Sequence, residues 1–401
     1  MNTTSTHNTH ALIFGFVSVF LTSLGFGIIN PVVPFLVAPY ATGHSAAVIV
    51  TLLTAIYALF VFVAAPVFGL LSDRFGRKPL LLISFLGSAV GYLFFGVGGA
   101  LWVLFAGRII DGLTGGNISI ILAYFADITP SDERSKYFGW MGAIVGIGTI
   151  TGPVIGGLLA VFGNSVPMYV GAALSLANVL YGLIAMPESL PAEKRIAEIH
   201  ATQLNPLSVL KGIFQIQKIR RLLLSAVMIW IAAGSLQSIF AQFAKDSFAW
   251  SAALIGLAFA IIGIMDILSQ SLIMPRLLKL VSDESIVRIG IIAELIAYAI
   301  LTISALATQS ALALIALVIY GFGDSIFNPA FNGKLSKSIA DSDQGRVQGG
   351  AQALSSLGRV VGPVIGGQIY MLLGHAAPMI MGILLAAIAF ISLRGQHSET
   401  L

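Results

Sequence analysis

The chain has 401 residues, 57% of them hydrophobic and 9% charged, with no cysteine. At a mean hydropathy of +0.95 it has too few charges to coat a soluble domain of this size, so lipid has to serve as its solvent. The net charge of +4 then reports membrane topology rather than a nucleic-acid partner, and disulfide and thiolate chemistry are excluded.

Apolar segments of about 20 residues, the length that crosses a bilayer, recur at 12–36, 46–71, 80–98, 101–125, 137–161, 166–186, 222–243, 252–275, 287–306, 311–331, 347–372 and 376–394. β-barrel alternation is absent, so the sequence predicts an all-α membrane protein of 12 transmembrane helices. The first run is too long for a cleaved signal and stays as a helix. Between the second and third runs lies a short charged loop, Gly69-Leu70-Leu71-Ser72-Asp73-Arg74-Phe75-Gly76-Arg77-Lys78. Three cations against one carboxylate at the end of an apolar run mark a cytoplasmic turn.

The fourth run carries Arg108 and Asp111, three apart and so on one helix face, then Asn117, with Asp127 at its cytoplasmic end. The fifth holds Gly148-xxx-Gly152-Pro153-xx-Gly156-Gly157, which returns in the eleventh as Gly358-xxx-Gly362-Pro363-xx-Gly366-Gly367, an offset of 362 − 152 = 210. Glycines four apart let helices approach closely, and a proline removes a backbone donor and bends the helix. The long polar stretch 187–221 reads as a cytoplasmic linker between a six-helix half at 1–186 and another at 222–401. Repeated halves around a midplane cavity are the architecture of alternating-access carriers.

Lys and Arg gather in the loops of one side, from Arg74, Arg77 and Lys78 through Arg134, Lys136, Arg220, Arg276 and Lys337 to Arg394, while the opposite loops carry only Lys245. Both termini are therefore expected in the cytoplasm. The six histidines, at 7, 10, 44, 200, 375 and 397, read as tail or loop residues without metal-ligand spacing or a nucleophile partner. No metal, no cofactor and no enzyme activity are expected. A phosphate-binding loop of the Walker type is absent, which leaves an ion gradient as the energy source.

The charged loop resembles the signature loop of the major facilitator superfamily. Leu24-Gly25-Phe26-Gly27 leading to Asn30-Pro31 and Pro34, Gly107-Arg108-Ile109-Ile110-Asp111-Gly112, Ala126-Asp127-Ile128-Thr129 and Gln344-Gly345-Arg346 extend the likeness to the 12-helix drug:proton antiporters, and most closely to tetracycline-efflux proteins. The glycine-proline pattern of the fifth run resembles their antiporter motif, Gly148, Gly152, Pro153, Gly156 and Gly157. It implies close packing of that helix against the other half of the carrier when the carrier is open to the outside. The resemblance makes Gly69, Asp73, Arg74, Gly76, Arg77 and Asp127 an intracellular latch, and Arg108 the counterpart of a proton-coupling arginine. Some positions differ. Thr22 and Gly91 stand where the exporters have aspartates in helices 1 and 3, Glu294 aligns with their helix 9 aspartate, and Asp266 with a helix 8 histidine.

Charges at membrane depth are costly and point to function. An arginine beside a carboxylate favours the ionised form and burial the neutral one, so rearranging such a pair switches proton affinity. Asp111 beside Arg108 is the first candidate for the coupled proton, followed by Asp324, Glu294 and Asp266, with a structural pairing of Asp266 and Arg359 equally open. Glu294 is expected on a peripheral helix. Asn30, Asn117, Gln237, Gln242, Phe240, Asn328 and Asn332, with Phe26, Tyr57, Trp230 and Phe327, are expected to line the substrate cavity. Few polar groups among many apolar ones suit a lipophilic or amphipathic compound. The sequence thus predicts a monomeric, proton-driven exporter of a small molecule, with a lipid or lysolipid translocase or a metabolite symporter or uniporter as the alternatives on the same fold.

Overall fold

Proline and glycine set the ends of the helices. A computed structural model describes residues 3–41, 44–130, 133–196, 213–340 and 344–394. Helix α1, Thr3–Ile29, stops before Pro31, where the chain turns through Val32 N–H donating to the Ile29 carbonyl at 2.9 Å and restarts as the short α2, Val33–Val37. Then come α3 (His44–Phe75), α4 (Arg77–Val97), α5 (Leu101–Thr114), α6 (Asn117–Ile128), α7 (Arg134–Leu159) and α8 (Val166–Ala185). The second part holds α9 (Gln217–Phe248), α10 (Ala252–Leu268), a π-helical turn Ser269–Ile273, α11 (Met274–Leu280), α12 (Asp283–Ala307), α13 (Ser310–Lys337), α14 (Gln344–Leu373) and α15 (Ala377–Arg394).

Among the described residues 11 helices are long and apolar enough to span a membrane, and a shorter apolar helix occupies Ala377–Leu393. The run expected as one helix at 101–125 is broken at Gly115 and Gly116. A Cβ on Gly115 would lie 2.7 Å from the Val61 side chain and one on Gly116 2.6 Å from Phe68 Cβ, so α3 presses on the backbone there. His7, His10 and His44 are helical rather than in tails or loops. His200 and His397 lie outside the described residues.

The chain divides into two compact units, Met1–Leu36 with Ile56–Pro206, and Val37–Ala55 with Leu207–Leu401. In the first, α1 packs on α7 and α8, and α4 on α5 and α8. Phe14, Phe85, Tyr124 and Phe125 fill its core. In the second, α9 packs on α14 and α15, and α12 on α13 and α15. Trp230, Phe327 and Phe331 lie at its centre.

The repeated glycine motif explains two of these contacts. A Cβ on Gly152 would sit 2.6 Å from the Leu24 carbonyl oxygen and 2.9 Å from Gly27 Cα, both backbone atoms of α1. In the second unit a Cβ on Gly362 would sit 2.7 Å from the Ser235 nitrogen of α9. The motif therefore seats α7 against α1 of its own unit. Only glycine permits this backbone contact.

Gly152→Leu is expected to lower the thermal midpoint of the purified protein sharply, since overpacking typically costs about 1–3 kcal/mol and the obstructing atoms are backbone. Gly139→Leu on the same helix, where a Cβ meets nothing within 4 Å, should leave it within error. Equal midpoints for the two variants would remove the motif from the packing of α7 on α1.

Candidate functional site

Three groups of polar residues stand out, two in the first unit and one in the second. At the α3 to α4 turn, Gly76 adopts φ 103°, a left-handed conformation that favours glycine, and sends the chain directly into α4. Arg77 follows and is only 6% exposed. Its guanidinium meets Asp73 of α3 at 2.5 Å, Asp127 of α6 at 3.1 Å and the Ser72 hydroxyl at 2.7 Å. A buried arginine with two carboxylates has its charge compensated. Of the other expected latch residues, Arg74 is exposed with its guanidinium over Phe75, and Gly69 leaves open space beside it. Neither joins the Arg77 cluster.

Sequence reasoning missed the segment that covers this cluster. Glu188, at the start of the expected linker, accepts the backbone N–H groups of Arg77 at 2.8 Å and Lys78 at 3.1 Å, and the Ser189 hydroxyl donates to Asp127 at 2.9 Å. A carboxylate following Pro187 at a helix end was the available signal.

Within the candidate membrane span Leu101–Ile128 of the same unit, Arg108 and Asp111 of α5 lie 3.6 Å apart, both buried. The Ser88 hydroxyl of α4 donates to Asp111 at 2.7 Å, and the Arg108 guanidinium lies over the Tyr57 ring, 4.3 Å from its centroid. Cation–π contact and ion pairing together solvate the arginine where water is scarce. Beside Asp111 opens a small pocket lined also by Thr22, Phe26, Tyr57, Tyr92 and Asn117. The Asn117 amide donates to the Thr22 hydroxyl at 3.2 Å, so two of the polar groups on its wall hold each other. Asn30 is half-buried in the turn after α1.

In the second unit Asp324 of α13 feels the charges of Asp266 and Arg359. Asn328, one turn on, accepts the Trp230 indole N–H at 3.0 Å and turns its amide toward the Asp324 carboxylate at 3.4 Å. Asp266 accepts the Gln270 amide at 2.6 Å, and no ion pair joins it to Arg359 among the described residues. Glu294 is 0% exposed, and neither of its oxygens has a hydrogen-bond partner among the described residues. Here α12 approaches α13 so closely that a Cβ on Gly323 would lie 3.1 Å from the Glu294 nitrogen, and the Glu294 carboxyl is buried.

The expected cavity residues separate. Gln237 and Asn332 are exposed. Phe240 is 1% exposed and packs edge-on to Phe259 with centroids 5.4 Å apart, and the buried Gln242 donates to Asp246 at 2.8 Å. Both belong to the core of the second unit rather than to a cavity wall, because α9 is covered by α14 and α15. Phe327 is likewise interior, stacked on Phe331.

A sequence profile of the Major Facilitator Superfamily matches residues 15–363. The chain is 35% identical over 361 residues to the class C tetracycline resistance protein of Escherichia coli, covering 90% of each. It is 28% identical to multidrug resistance protein 1 of Bacillus subtilis, covering 88% of each. Among solved structures it resembles the nucleoside transporter NupG at 15% identity and a TM-score of 0.79, covering 98% of this chain and 100% of that one. The human organic anion transporter MFSD10 follows at 20% identity and a TM-score of 0.69, covering 96% and 99%. A profile that spans most of the chain, and relatives matched over nearly their whole length, make the conclusion plain: this multi-pass membrane protein belongs to the Major Facilitator Superfamily.

Proposed function

We propose that this protein is a secondary active carrier that exports a small lipophilic or amphipathic compound, of the drug class, in exchange for protons. The observation that carries the reading is the buried Arg108–Asp111 pair, 3.6 Å apart, whose Asp111 lines a pocket where the other polar groups are uncharged. A carboxylate beside both an arginine and a pocket links proton affinity to occupancy: a change in the Arg108 contact alters how tightly Asp111 holds its proton. The names of the resistance-protein relatives support export of a drug. In this reading the chain has 12 spans in two six-helix halves, 1–186 and 222–401, with both termini in the cytoplasm. It works as a monomer by alternating access, without a cofactor, and the proton gradient supplies the energy. Asp111 carries the coupled proton, and Asp324 and Glu294 are the further carriers.

The reading is tested in proteoliposomes with an imposed pH gradient, screened over lipophilic and amphipathic compounds. Asp111→Asn should reduce proton-driven export by about a hundredfold, the scale on which a group essential to proton transfer contributes, while the protein still folds and inserts. Substrate-dependent proton release is the measurement. Equal release from wild type and variant would take Asp111 out of the mechanism.

The Arg77 cluster is the latch of the cytoplasmic side. Asp73→Asn and Arg77→Ala should slow turnover severalfold and leave substrate affinity unchanged, because the cluster lies at the helix ends and not at the Asp111 pocket. Parallel binding and transport assays separate the two quantities. Loss of binding with normal turnover would refute the assignment.

A further inference from the structure

Every α-helix begins with backbone N–H groups that lack intrahelical partners, and the start of α4 allows a complete account of them. Gly76 N–H still belongs to α3 and donates to the Ser72 carbonyl at 3.0 Å. Pro79 has no N–H. Arg77 and Lys78 remain, and Gly76, at the cap position, has no side chain to offer them. Both donate to one distant carboxylate, Arg77 to Glu188 Oε1 at 2.8 Å and Lys78 to Glu188 Oε2 at 3.1 Å. Oε1 also accepts the Leu190 N–H at 3.0 Å. The negative charge lies at the positive end of the α4 dipole, where it is stabilising.

The exchange runs in both directions. The Lys78 ammonium donates to the carbonyls of Leu183 at 3.1 Å and Met186 at 2.8 Å, at the C-terminal end of α8. Beyond Pro187 the chain crosses the cluster as a strap. Ser189 donates to Asp127, and Ile196 N–H donates to the Asp73 carbonyl at 3.1 Å. A Cβ on Gly76 would overlap the Glu188 carboxylate, so that glycine is needed for the closeness of Glu188 as well as for its φ.

We propose that Glu188 is the positioning residue of the latch. Its carboxylate fixes the first turn of α4 so that the Arg77 guanidinium reaches Asp73 and Asp127 together, and the strap 187–196 holds Asp127 from the other side. The function of the latch rests on the reading above; the positioning role does not. Glu188 acts through Arg77, so its effect on transport vanishes once Arg77 is gone.

Hydrogen exchange and transport on the full-length protein, purified and reconstituted, test this. In Glu188→Ala the amides in peptides covering 72–82 should exchange about tenfold faster, as expected for freed helix-start donors that open locally. Glu188→Gln keeps the oxygen that serves Arg77 and Leu190 but loses the Lys78 contact and the charge, and should fall between. In proteoliposomes Glu188→Ala should lower the maximal export rate severalfold with KM unchanged, and the Glu188→Ala, Arg77→Ala double variant should be no slower than Arg77→Ala alone. Unchanged exchange in 72–82, or losses that multiply in the double variant, would overturn the proposal. Faster exchange in a protein whose transport is indifferent to both Glu188→Ala and Arg77→Ala would instead sink the latch reading and leave the positioning role in place. A variant that fails to fold is replaced by Gly76→Ala, which displaces the same carboxylate and should reproduce the faster exchange; a normal exchange rate there would also refute the role.

Discussion

Within a bilayer a charge has to be solvated by the protein itself, because lipid offers no hydrogen bonds and the desolvation cost runs to several kcal/mol. The polar groups described above follow from that constraint. Arg108 is held by Asp111 and by the Tyr57 face, and Asp111 in turn by Ser88. Arg77, at the start of α4, is held by Asp73, Asp127 and Ser72. Glu294 is the exception, a carboxyl closed in by α12 and α13 with no polar partner among the described residues. A carrier gains from such exceptions: a site satisfied in every state has no reason to change its occupancy.

Satisfying charges in this way needs helices that are held in register, and the glycine motifs supply the contacts. In both units a glycine-proline helix lies backbone to backbone on the first helix of its unit, α7 on α1 and α14 on α9. A second glycine seam repeats as well. Gly91 and Gly107 face each other between α4 and α5, and Gly290 and Gly323 between α12 and α13. Close approach leaves little freedom for sliding, so Asp111 and Glu294, each beside such a seam, are placed by the backbone rather than by loops.

The sequence made much of this legible and some of it not, for physical reasons that differ by residue. Apolar length and the cationic loops reveal helices because lipid imposes one rule on every span. The Arg108–Asp111 spacing reveals a shared face because both residues lie on one helix. Phe240 and Gln242 were misplaced because α9 is buried on nearly all sides, and a helix without a solvent face has no polar stripe to separate cavity from core. The break at Gly115–Gly116 depends on Val61 and Phe68, far away in sequence. Glu188 was hidden for the same reason: its partners are 111 and 110 positions distant, and next to a proline it reads as the beginning of a linker.

Distance in sequence also hides the surroundings of Gly91, a position where the resemblance to the tetracycline exporters breaks down. The resemblance to those exporters implies a helix 3 aspartate at the position of Gly91. A Cβ at that position would lie 2.7 Å from the Asp111 Cβ and 2.8 Å from the Gly107 carbonyl oxygen, so no side chain fits there while Asp111 occupies the seam. Ser88, close to one turn before Gly91 on α4, is then near enough to donate to Asp111 at 2.7 Å. Along the sequence the resemblance makes this glycine a missing carboxylate; in three dimensions it is the space beside which Asp111 of the neighbouring helix reaches its pocket.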